Sequence, residues 1–423
     1  MDTSNGRMMR PARRKQVIFN HSNVSKIDTT QRKGPMRLLL FSSEFPPGPG
    51  GIGTQAFELA RNLQQLGWEV AVIAPQDYSS EEEVRAFNER QPFPVLRWRS
   101  LRWPVLTPIY RPLMAAVQVL YRRPDVILAT GDRIVYFAAV VCSLFRIPWV
   151  AVVHGRMPAW WERALRRWAF ERADKVVSVS QYTLEEMRQS GIRPRAVIIP
   201  NGADPTMFIV LPQSEISRAR TSLGLPDERL ILTVGKISPR KGQDVIIRAL
   251  PLILEKAPDV HYIMIGLPQS KDEFAALAVE LGVADRVHFL GRVDSDEVVR
   301  QMNACDLFAM TSTYRDNEYE GYGIAVIEAA LCGKTAVVSG GSGLQEAVVE
   351  GVTGLVVPVE DSAATAEAIV TLLNDEPRRR EMEAEARRRA LAEGTWRHRA
   401  EQYDAVLRSV LRPQPPRTTG EQS

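Results

Sequence analysis

The chain is constrained most by an alternation of short apolar stretches with amphipathic helical stretches, and this alternation occurs twice. It runs from Met36 to about residue 200 and starts again at residue 229 with RLILTVG. Such alternation is typical of a parallel sheet that is covered by helices on both faces. We therefore predict an α/β fold with two tandem doubly wound domains that face a central cleft. The predicted strands lie near 36–42, 69–73, 125–129, 149–153, 175–179 and 196–199 in the first domain and near 229–234, 260–265, 286–290, 306–310, 335–338 and 354–357 in the second.

The length also favours two domains, because one hydrophobic core rarely organises a chain of 423 residues. A proline-rich link near 205–228 separates the two runs of strands and helices. The predicted parts of the chain are a disordered basic tail (1–35), a first domain (36–208), a second domain (209–396), a last helix (397–412) and a disordered tail (413–423).

The basic character of the sequence belongs to its first 35 residues. They hold eight Lys and Arg against two Asp, which leaves 46 basic and 48 acidic residues in the rest of the chain. The two domains are therefore close to neutral, and we predict no nucleic-acid partner. The first 35 residues contain no long apolar run, so they predict neither a signal peptide nor a membrane span.

The cysteines and the longest apolar run predict a protein of the cytoplasm. Cys142, Cys305 and Cys332 are far apart and have apolar neighbours, which is typical of reduced, buried thiols. No Cys/His cluster suggests a metal site. The apolar run 134–153 is interrupted by Arg146 and Pro148, so it predicts a helix and a buried strand rather than a membrane span.

In the segment EYEGYGIAVIEAALCGK at 318–334, Glu320 and Glu328 stand eight positions apart. Glu320 precedes a helix that is predicted to begin near Gly323 or Ile324, and Glu328 lies about one turn inside it. A carboxylate on such an apolar helix needs hydrogen-bond donors, which either sugar hydroxyls or a nearby Arg or Lys could supply. The helix start also offers backbone N–H groups to a phosphate.

Two further candidates follow strands of the first domain. Gly50, Gly51 and Gly53 form a Gly-rich turn after the first strand, which either binds phosphate or is simply a loop stiffened by prolines. His154 follows the strand WVAVV directly, at the carboxyl end where parallel sheets place their chemistry. A structural role for this histidine is an equally good interpretation.

Basic residues follow the first strand of the second domain. Lys236, Arg240 and Lys241 lie in VGKISPRKGQD, where they could clamp a diphosphate or be ordinary surface charge. Asp294 and Asp296 have a spacing that could hold a metal, but their place at the start of a predicted helix favours N-capping.

Basic and aromatic residues are interleaved in two stretches of the first domain. This composition suits the surface of an anionic membrane, although helices that pack Trp inward and leave Arg in water would look the same. The residues are Arg97, Trp98, Arg99, Arg102, Trp103, Arg111, Arg122 and Arg123 in 93–123, and Trp160, Trp161, Arg163, Arg166, Arg167 and Trp168 in 156–172.

The ordered set of motifs resembles the large retaining glycosyltransferase family usually called family 4. The resemblance covers about residues 36–405. The motifs are GGIGT after the first strand, His154, PNGAD before the link, GKISPRKG after it, EGYGIAVIEA, and SGLQEAV followed by GVTGLVV.

This resemblance implies the GT-B fold, in which two Rossmann-like lobes hold the acceptor on the first lobe and the nucleotide-sugar donor on the second. It implies that Gly50 and Gly51 approach the donor diphosphate, and that Lys236 and Lys241 neutralise it. Glu320 and Glu328 correspond to residues that contact the donor sugar and the ribose.

The resemblance also concerns His154 and the end of the chain. His154 corresponds to a residue that orients the donor sugar, and the last helix is expected to cross back onto the first lobe. Two positions depart from the family pattern. Lys236 stands where Arg is usual, and Ser342-Gly343 replaces Gly-Gly before Glu346.

The expected function is transfer of a hexosyl group, with retention, from a UDP- or GDP-linked sugar to an acceptor hydroxyl. The catalytic candidates are His154, Lys241 and Glu320. No cofactor or metal is expected, and the acceptor is a sugar or a lipid-linked glycan reached by peripheral contact at the inner face of the membrane. The alternatives are a sugar-nucleotide epimerase of the same fold and a non-catalytic nucleotide-sugar-binding protein.

Overall fold

The computed structural model describes residues 34–48, 50–76, 79–98, 107–155, 163–315 and 317–411, without the side chains of 107–109, 132 and 133. The predicted disordered tails fall outside these residues, apart from Gly34 and Pro35. The chain folds around two parallel sheets in tandem, which confirms the predicted fold class. We call the parts built on these sheets the first and the second lobe.

The first sheet has seven parallel strands in the order β3-β2-β1-β4-β5-β6-β7. Leu38 and Leu40 of its central strand pack into one hydrophobic layer, and Leu39 and Phe41 into the layer on the opposite face. A strand with both faces buried explains the continuous apolar run LLLF at 38–41. The strands are β1 (Arg37–Ser42), β2 (Glu69–Pro75), β3 (Val95–Trp98), β4 (Val126–Thr130), β5 (Trp149–Val153), β6 (Lys175–Ser178) and β7 (Ala196–Ile198).

Helices cover both faces of this sheet. One face is covered by three successive helices, α3, α4 and α5, and the other by α1. The helices are α1 (Gly51–Gln65), α2 (Glu81–Glu89), α3 (Thr107–Arg122), α4 (Asp132–Phe145), α5 (Arg163–Arg172) and α6 (Gln181–Gln189).

The second sheet has six parallel strands in the order β10-β9-β8-β11-β12-β13. All six were predicted from the sequence. The strands are β8 (Arg229–Val234), β9 (Val260–Ile265), β10 (Val287–Gly291), β11 (Leu307–Met310), β12 (Ala336–Ser339) and β13 (Gly354–Val357). The helices are α7 (Gln213–Ser222), α8 (Gln243–Lys256), α9 (Lys271–Glu280), α10 (Ser295–Ala304), α11 (Ile324–Leu331), α12 (Ser362–Asn374), α13 (Glu376–Glu393) and α14 (Trp396–Val410).

Both sheets reverse their strand order once, between β1 and β4 in the first lobe and between β8 and β11 in the second. Doubly wound sheets bind ligands at these switch points, outside the carboxyl ends of the strands. The candidate site is therefore built by loops after these four strands, together with His154 at the end of the neighbouring strand β5.

Strand β3 was not predicted. Its residues were interpreted as part of a basic, aromatic surface, but Val95–Trp98 pairs in parallel with β2 at the edge of the sheet. Trp98 is buried under Phe41 and Arg111. The strand is short, and Arg97 breaks its apolar run, so the sequence pattern was too weak to identify it.

The last helix crosses back to the first lobe, as the resemblance implied. Helix α14 packs on α1 through the buried side chains of Tyr403 and Leu407, and Asp404 accepts a hydrogen bond from Trp68 Nε1 at 2.7 Å. The return crossing runs beside the first one, since Ala203 N–H donates to the carbonyl of Gly394 at 2.9 Å and Trp396 N–H donates to the carbonyl of Ala203 at 3.1 Å. The two lobes are thus joined by two adjacent chain segments.

Candidate functional site

The strongest electrostatic contact of the site joins Lys241 to Glu320. Lys241 ends a short 3-10 turn after β8, and Glu320 lies in the loop between β11 and α11. Lys241 Nζ lies 2.5 Å from Glu320 Oε2, and Arg240 Nη1 lies 3.4 Å from the same oxygen. Burial alone would raise the pKa of Glu320, but Lys241 and Arg240 outweigh it and hold that pKa below its usual value.

The ammonium of Lys241 is confined by its surroundings. Its side chain passes over Gly235, where an added Cβ would lie 3.7 Å from Lys241 Cε. Burial lowers the pKa of Lys241 although Glu320 opposes this effect. A half-buried cation with one carboxylate partner is placed to neutralise a further anion. Lys236, in contrast, is exposed at the carboxyl end of β8.

Helix α11 begins at Ile324, as predicted, and its start requires a glycine. Gly323 caps the helix with φ of 88°, and a Cβ there would lie 2.5 Å from Leu344 Cδ1. Both observations exclude larger residues. Val326 N–H donates to the carbonyl of Gly323 at 3.1 Å, whereas the N–H groups of Ile324 and Ala325 have no acceptor within the helix and can bind an anion.

Helix α1 begins beside α11. It starts at Gly51, so Gly51 and Gly53 belong to the helix and not to the predicted Gly-rich turn. Gly50 caps it with φ of 138°, and a Cβ on Gly51 would lie 3.6 Å from Ile324 Cδ1. Two helix starts, one from each lobe, therefore meet near the switch points.

Glu328 has no Arg or Lys partner among the residues that the structure describes. Its neighbour across the lobes is another carboxylate, Glu58 on α1. Burial, with a smaller contribution from Glu58, raises the pKa of Glu328 to about 7. The alternative of a structural ion pair for Glu328 therefore finds no support in the described residues, and hydroxyl donors of a ligand remain the better interpretation.

Glu58 was missed at the sequence level because its setting is tertiary. Arg61 Nη2 contacts it at 2.8 Å but is shared with Asp204 at 2.6 Å. Burial raises the pKa of Glu58 to about 7 in spite of this arginine. Two carboxylates with raised pKa values, Glu58 and Glu328, thus lie on different lobes, and the charge of Glu58 contributes to the raised pKa of Glu328.

His154 lies at the carboxyl end of β5 in a network without charge. Its Nε2 is 2.8 Å from Thr130 Oγ1, and the Thr130 hydroxyl donates to Gln55 Oε1 at 2.8 Å. Because that single hydroxyl proton is used, Thr130 accepts from His154 Nε2–H, and His154 Nδ1 carries the lone pair. Burial lowers the pKa of His154 to about 4, which keeps the ring neutral.

The network continues to the last helix. Gln55 Nε2 donates to Asn201 Oδ1 at 2.8 Å and lies 3.4 Å from the hydroxyl of Tyr403 on α14. Asn201 belongs to the PNGAD motif, whose contribution to the site sequence reasoning did not identify. The imidazole of His154 is therefore oriented by four polar side chains that come from distant parts of the chain.

The lobes touch directly next to these residues. Tyr319 N–H donates to the carbonyl of Gly155 at 2.9 Å, and an added Cβ on Gly155 would lie 2.2 Å from Tyr319 O. Glu346 of the second lobe accepts from the N–H groups of Gln181 and Tyr182, each at 2.8 Å, and so caps α6 of the first lobe. The function of Glu346 was left open by the sequence.

Asp294 is an N-cap, as preferred from the sequence. Its side chain accepts from Glu297 N–H at 2.8 Å at the start of α10. Within the described parts of the chain, no group of three or more His, Cys, Asp or Glu side chains is arranged to hold a metal ion.

The predicted basic, aromatic surface is only partly a surface. Trp98 and Arg166 are buried, and Arg97 donates to the carbonyls of Pro46 and Pro75 and to the side chain of Asn88. These residues pack inward because their aliphatic and aromatic parts fill the layer next to the sheet. Arg99, Arg102, Trp103, Trp160 and Trp161 lie outside the described residues.

The apolar run 134–153 forms α4 from Ile134 onward and the buried strand β5, as predicted. None of the helices in the described ranges is both long enough and apolar enough to cross a membrane.

Comparison with known proteins identifies the family of this chain. The profile of "Glycosyltransferase Family 4" matches residues 49–207, and that of "Glycosyl transferases group 1" matches residues 215–389. A mannosyltransferase of Mycolicibacterium smegmatis is 30% identical over 88% of this chain and 98% of its own length. The chain belongs to the family 4 glycosyltransferases.

Two of the relatives are both named as GDP-mannose-dependent mannosyltransferases. The M. smegmatis protein is a GDP-mannose-dependent alpha-(1-6)-phosphatidylinositol monomannoside mannosyltransferase. A Corynebacterium glutamicum protein, the corresponding enzyme for the monoacylated acceptor, is 28% identical over 89% of this glycosyltransferase and 99% of its own length.

Solved structures confirm the GT-B fold of this glycosyltransferase. Anabaena HepE in complex with UDP and glucose superimposes with a TM-score of 0.76, covers 88% of this chain and all of its own, and is 25% identical. Sucrose-phosphate synthase of Thermosynechococcus elongatus, at 21% identity, a TM-score of 0.72 and a coverage of 88% of this chain and 98% of its own, shares the fold. The protein thus transfers a glycosyl group from a nucleotide sugar to an acceptor.

Proposed function

We propose that this glycosyltransferase moves a mannosyl group from GDP-mannose to a hydroxyl of a lipid-linked, phosphatidylinositol-based acceptor, with retention of configuration and without a metal ion. The observation that carries the proposal is the convergence of Lys241, Arg240 and the starts of α1 and α11 opposite the neutral His154. Positive charge and free N–H groups on one side of a small cleft suit a diphosphate that joins a base to a sugar.

In this proposal each side chain has one task toward the donor. The diphosphate lies between the two helix starts, with Lys241 and Lys236 as its cations. The ribose hydroxyls donate to Glu328, whose carboxylate has no basic partner among the described residues. Glu320 accepts from a hydroxyl of the sugar while it fixes Lys241.

The chemical step is the departure of the nucleoside diphosphate. Negative charge develops on the leaving oxygen, and Lys241 with the helix start at Ile324 stabilises it. The positive charge that develops on the sugar ring faces His154, whose neutral imidazole presents the Nδ1 lone pair. Because these cations and N–H groups already neutralise the leaving group, the step needs no metal ion.

The donor and the stereochemistry are proposed from the relatives. The M. smegmatis and C. glutamicum proteins match this chain over almost their full lengths and are named as GDP-mannose-dependent. Their named linkage is alpha, and GDP-mannose carries its mannose in the alpha configuration, so that reaction retains configuration. UDP-glucose is the competing donor, since HepE binds it at 25% identity.

The acceptor is proposed from the same names, which describe phosphatidylinositol monomannosides. We place the reaction at the inner face of the membrane, by peripheral contact with anionic lipid. The buried free thiols of Cys142, Cys305 and Cys332 support a reducing compartment.

The test is a donor panel with product analysis. The purified protein is incubated with GDP-mannose, UDP-glucose or UDP-N-acetylglucosamine and with phosphatidylinositol monomannoside in mixed micelles. We expect transfer from GDP-mannose at least tenfold faster than from the UDP sugars, with excess EDTA making no difference. The one-bond C1–H1 coupling of the new linkage should show the alpha anomer.

Different results would contradict different parts of the proposal. A faster reaction with a UDP sugar would overturn the donor, a beta product would overturn retention, and loss of activity in EDTA that is recovered with a divalent ion would overturn metal independence. Turnover with a water-soluble glycan but not with the lipid would overturn the acceptor.

A further inference from the structure

The outer surface of α3, α4 and α5 is unusual for a layer of helices in water. The three helices lie side by side over one face of the first sheet. Their inner sides are buried, with Ala115, Val119 and Ala138 at most 3% exposed. The opposite sides should then be polar, as in an ordinary amphipathic helix.

The opposite sides carry large apolar side chains instead. On α3 these residues recur at helical spacing, so they form one stripe. Leu120 is 62% exposed, Tyr121 79% and, on the neighbouring helix α4, Leu144 72%. The exposed apolar residues of this face are Leu113, Val117, Leu120 and Tyr121 on α3, Val140 and Leu144 on α4, and Leu165 on α5. We call this set the apolar face.

Basic residues surround the apolar face, and acids are scarce. Helix α3 has no acidic residue, and Glu171 of α5 is occupied by Arg167 at 3.1 Å. Arg122 and Arg123 end α3, and Arg146 ends α4, next to Leu120, Tyr121 and Leu144. Arg122 also lies against the ring of Tyr121, at 5.9 Å from its centre.

We infer that the apolar face docks this protein on the surface of an anionic lipid bilayer. Leucine and tyrosine side chains enter the boundary between headgroups and acyl chains, while the arginines meet the lipid phosphates. Among the residues that the structure describes, this rim is mainly basic, which favours a phosphate-rich surface over a second copy of this chain, whose identical rim would repel it. The inference rests on the proposed function in one respect only: a lipid-linked acceptor gives the protein a reason to bind a membrane.

This surface differs from the one that the sequence suggested. Arg97, Trp98 and Arg166 are turned inward, whereas the leucines and valines that the sequence reading passed over are exposed. The face lies on the lobe that holds His154, so docking would bring the membrane to the acceptor side of the cleft.

The experiment measures sedimentation of the full-length protein with vesicles of phosphatidylcholine alone or with 30% phosphatidylinositol. The wild-type protein should bind the vesicles with phosphatidylinositol at least tenfold more tightly than the vesicles of phosphatidylcholine alone. The double variant Leu120→Asp/Leu144→Asp should lose at least tenfold in binding, because each leucine leaves the apolar boundary. Arg122→Glu/Arg123→Glu should lose a similar factor, since each arginine contributes about fivefold.

A matched control uses an exposed apolar residue of the second lobe. Val279 on α9 is 68% exposed, and Val279→Asp should leave vesicle binding unchanged. The first 35 residues carry a net charge of +6 and are retained in every variant, so their contribution cancels in the comparison. Circular dichroism and GDP binding check that each variant is folded.

Equal binding by wild type and the leucine variant would overturn the inference, as would a stable dimer in sedimentation equilibrium that the leucine variant abolishes. The proposed function is tested separately by transfer to a detergent-dispersed acceptor. If the leucine variant keeps that activity but loses vesicle binding, the docking face is supported. If wild type docks but fails with GDP-mannose, only the proposed function falls.

Discussion

The two lobes hold their candidate site residues by different kinds of interaction. On the first lobe, His154 Nε2 is held by Thr130, and Thr130 by Gln55, through neutral hydrogen bonds that form without a ligand. On the second, Lys241 and Glu320 hold each other as a half-buried ion pair. The hydrogen bonds of the first lobe, the neutral side, fix the orientation of a neutral ring, whereas the ion pair of the second lobe, the charged side, would have to rearrange if a diphosphate binds Lys241 as proposed.

This difference has a physical reason. A hydrogen-bond network in a poorly hydrated pocket is stable when every donor and acceptor is used, so it can be built in advance. A buried cation is stable only with a counter-charge, and Glu320 supplies this until the donor arrives. Variants on the two sides should therefore fail in different ways.

The largest effect is expected on the charged side. Lys241→Ala removes the cation that we propose faces the leaving diphosphate, and we expect kcat/KM to fall about a thousandfold. Steady-state kinetics with GDP-mannose measures this. Lys271→Ala, on the exposed surface of α9, is the matched control and should behave as wild type. Turnover of Lys241→Ala near the wild-type rate would remove the diphosphate from this position.

Glu320→Gln should have the next largest effect. The amide keeps the shape but frees Lys241 from its counter-charge, so the fold should persist while kcat falls about a hundredfold. The dissociation constant of GDP, which lacks the sugar, should stay the same or decrease. If GDP binding weakened as much as turnover, Glu320 would act on the diphosphate rather than on the sugar.

On the neutral side the expected loss is smaller and appears in kcat. Thr130→Val removes the acceptor of His154 Nε2–H, so the imidazole can rotate and change tautomer, and kcat should fall about thirtyfold. The KM for the donor should hardly change, and Thr130→Ser should restore most of the rate. An equal rise in KM, or no recovery with serine, would mean that Thr130 supports the fold only.

The smallest effect concerns pH. The raised pKa of Glu328, about 7, means that protons compete with ribose hydroxyls for its carboxylate below neutral pH. GDP affinity should increase about tenfold from pH 6 to pH 8, as isothermal titration calorimetry can measure. Glu328→Gln should flatten this dependence. The stability of the unliganded protein should change in the opposite direction. Its free energy of unfolding should fall as the pH rises from 4.5 towards 7, because the buried Glu328 keeps its proton to a higher pH than it would in the unfolded chain.

The sequence predicted the features that depend on local patterns and missed those that depend on contacts between distant residues. Strand–helix alternation located all six strands of the second sheet and the start of α11, since these depend on local apolar pattern and on Gly323. It missed β3, where Arg97 interrupts a run of four residues, and it started α1 too late because Gly51 and Gly53 are poor helix formers.

The missed parts of the candidate site all depend on tertiary contacts. Glu346 caps a helix 165 residues away, and Gln55 reaches Asn201 over 146 residues. Glu58 influences Glu328 because the fold brings α1 of the first lobe next to α11 of the second lobe. The sequence places each of these residues on an element, but no local pattern indicates which residue on another element it meets.

The position of α14 has a consequence for how the chain is made. Because Tyr403 and Leu407 complete the packing on α1 and Asp404 pairs with Trp68, the first lobe lacks part of its own core until the last residues are synthesised. More than 200 residues separate the end of β7 from the end of α14. At a typical rate of translation this corresponds to roughly 10 to 40 s. During that interval the nascent protein exposes apolar surface on α1 that only its own carboxyl terminus can cover, so chaperones have most to protect at the beginning of the chain.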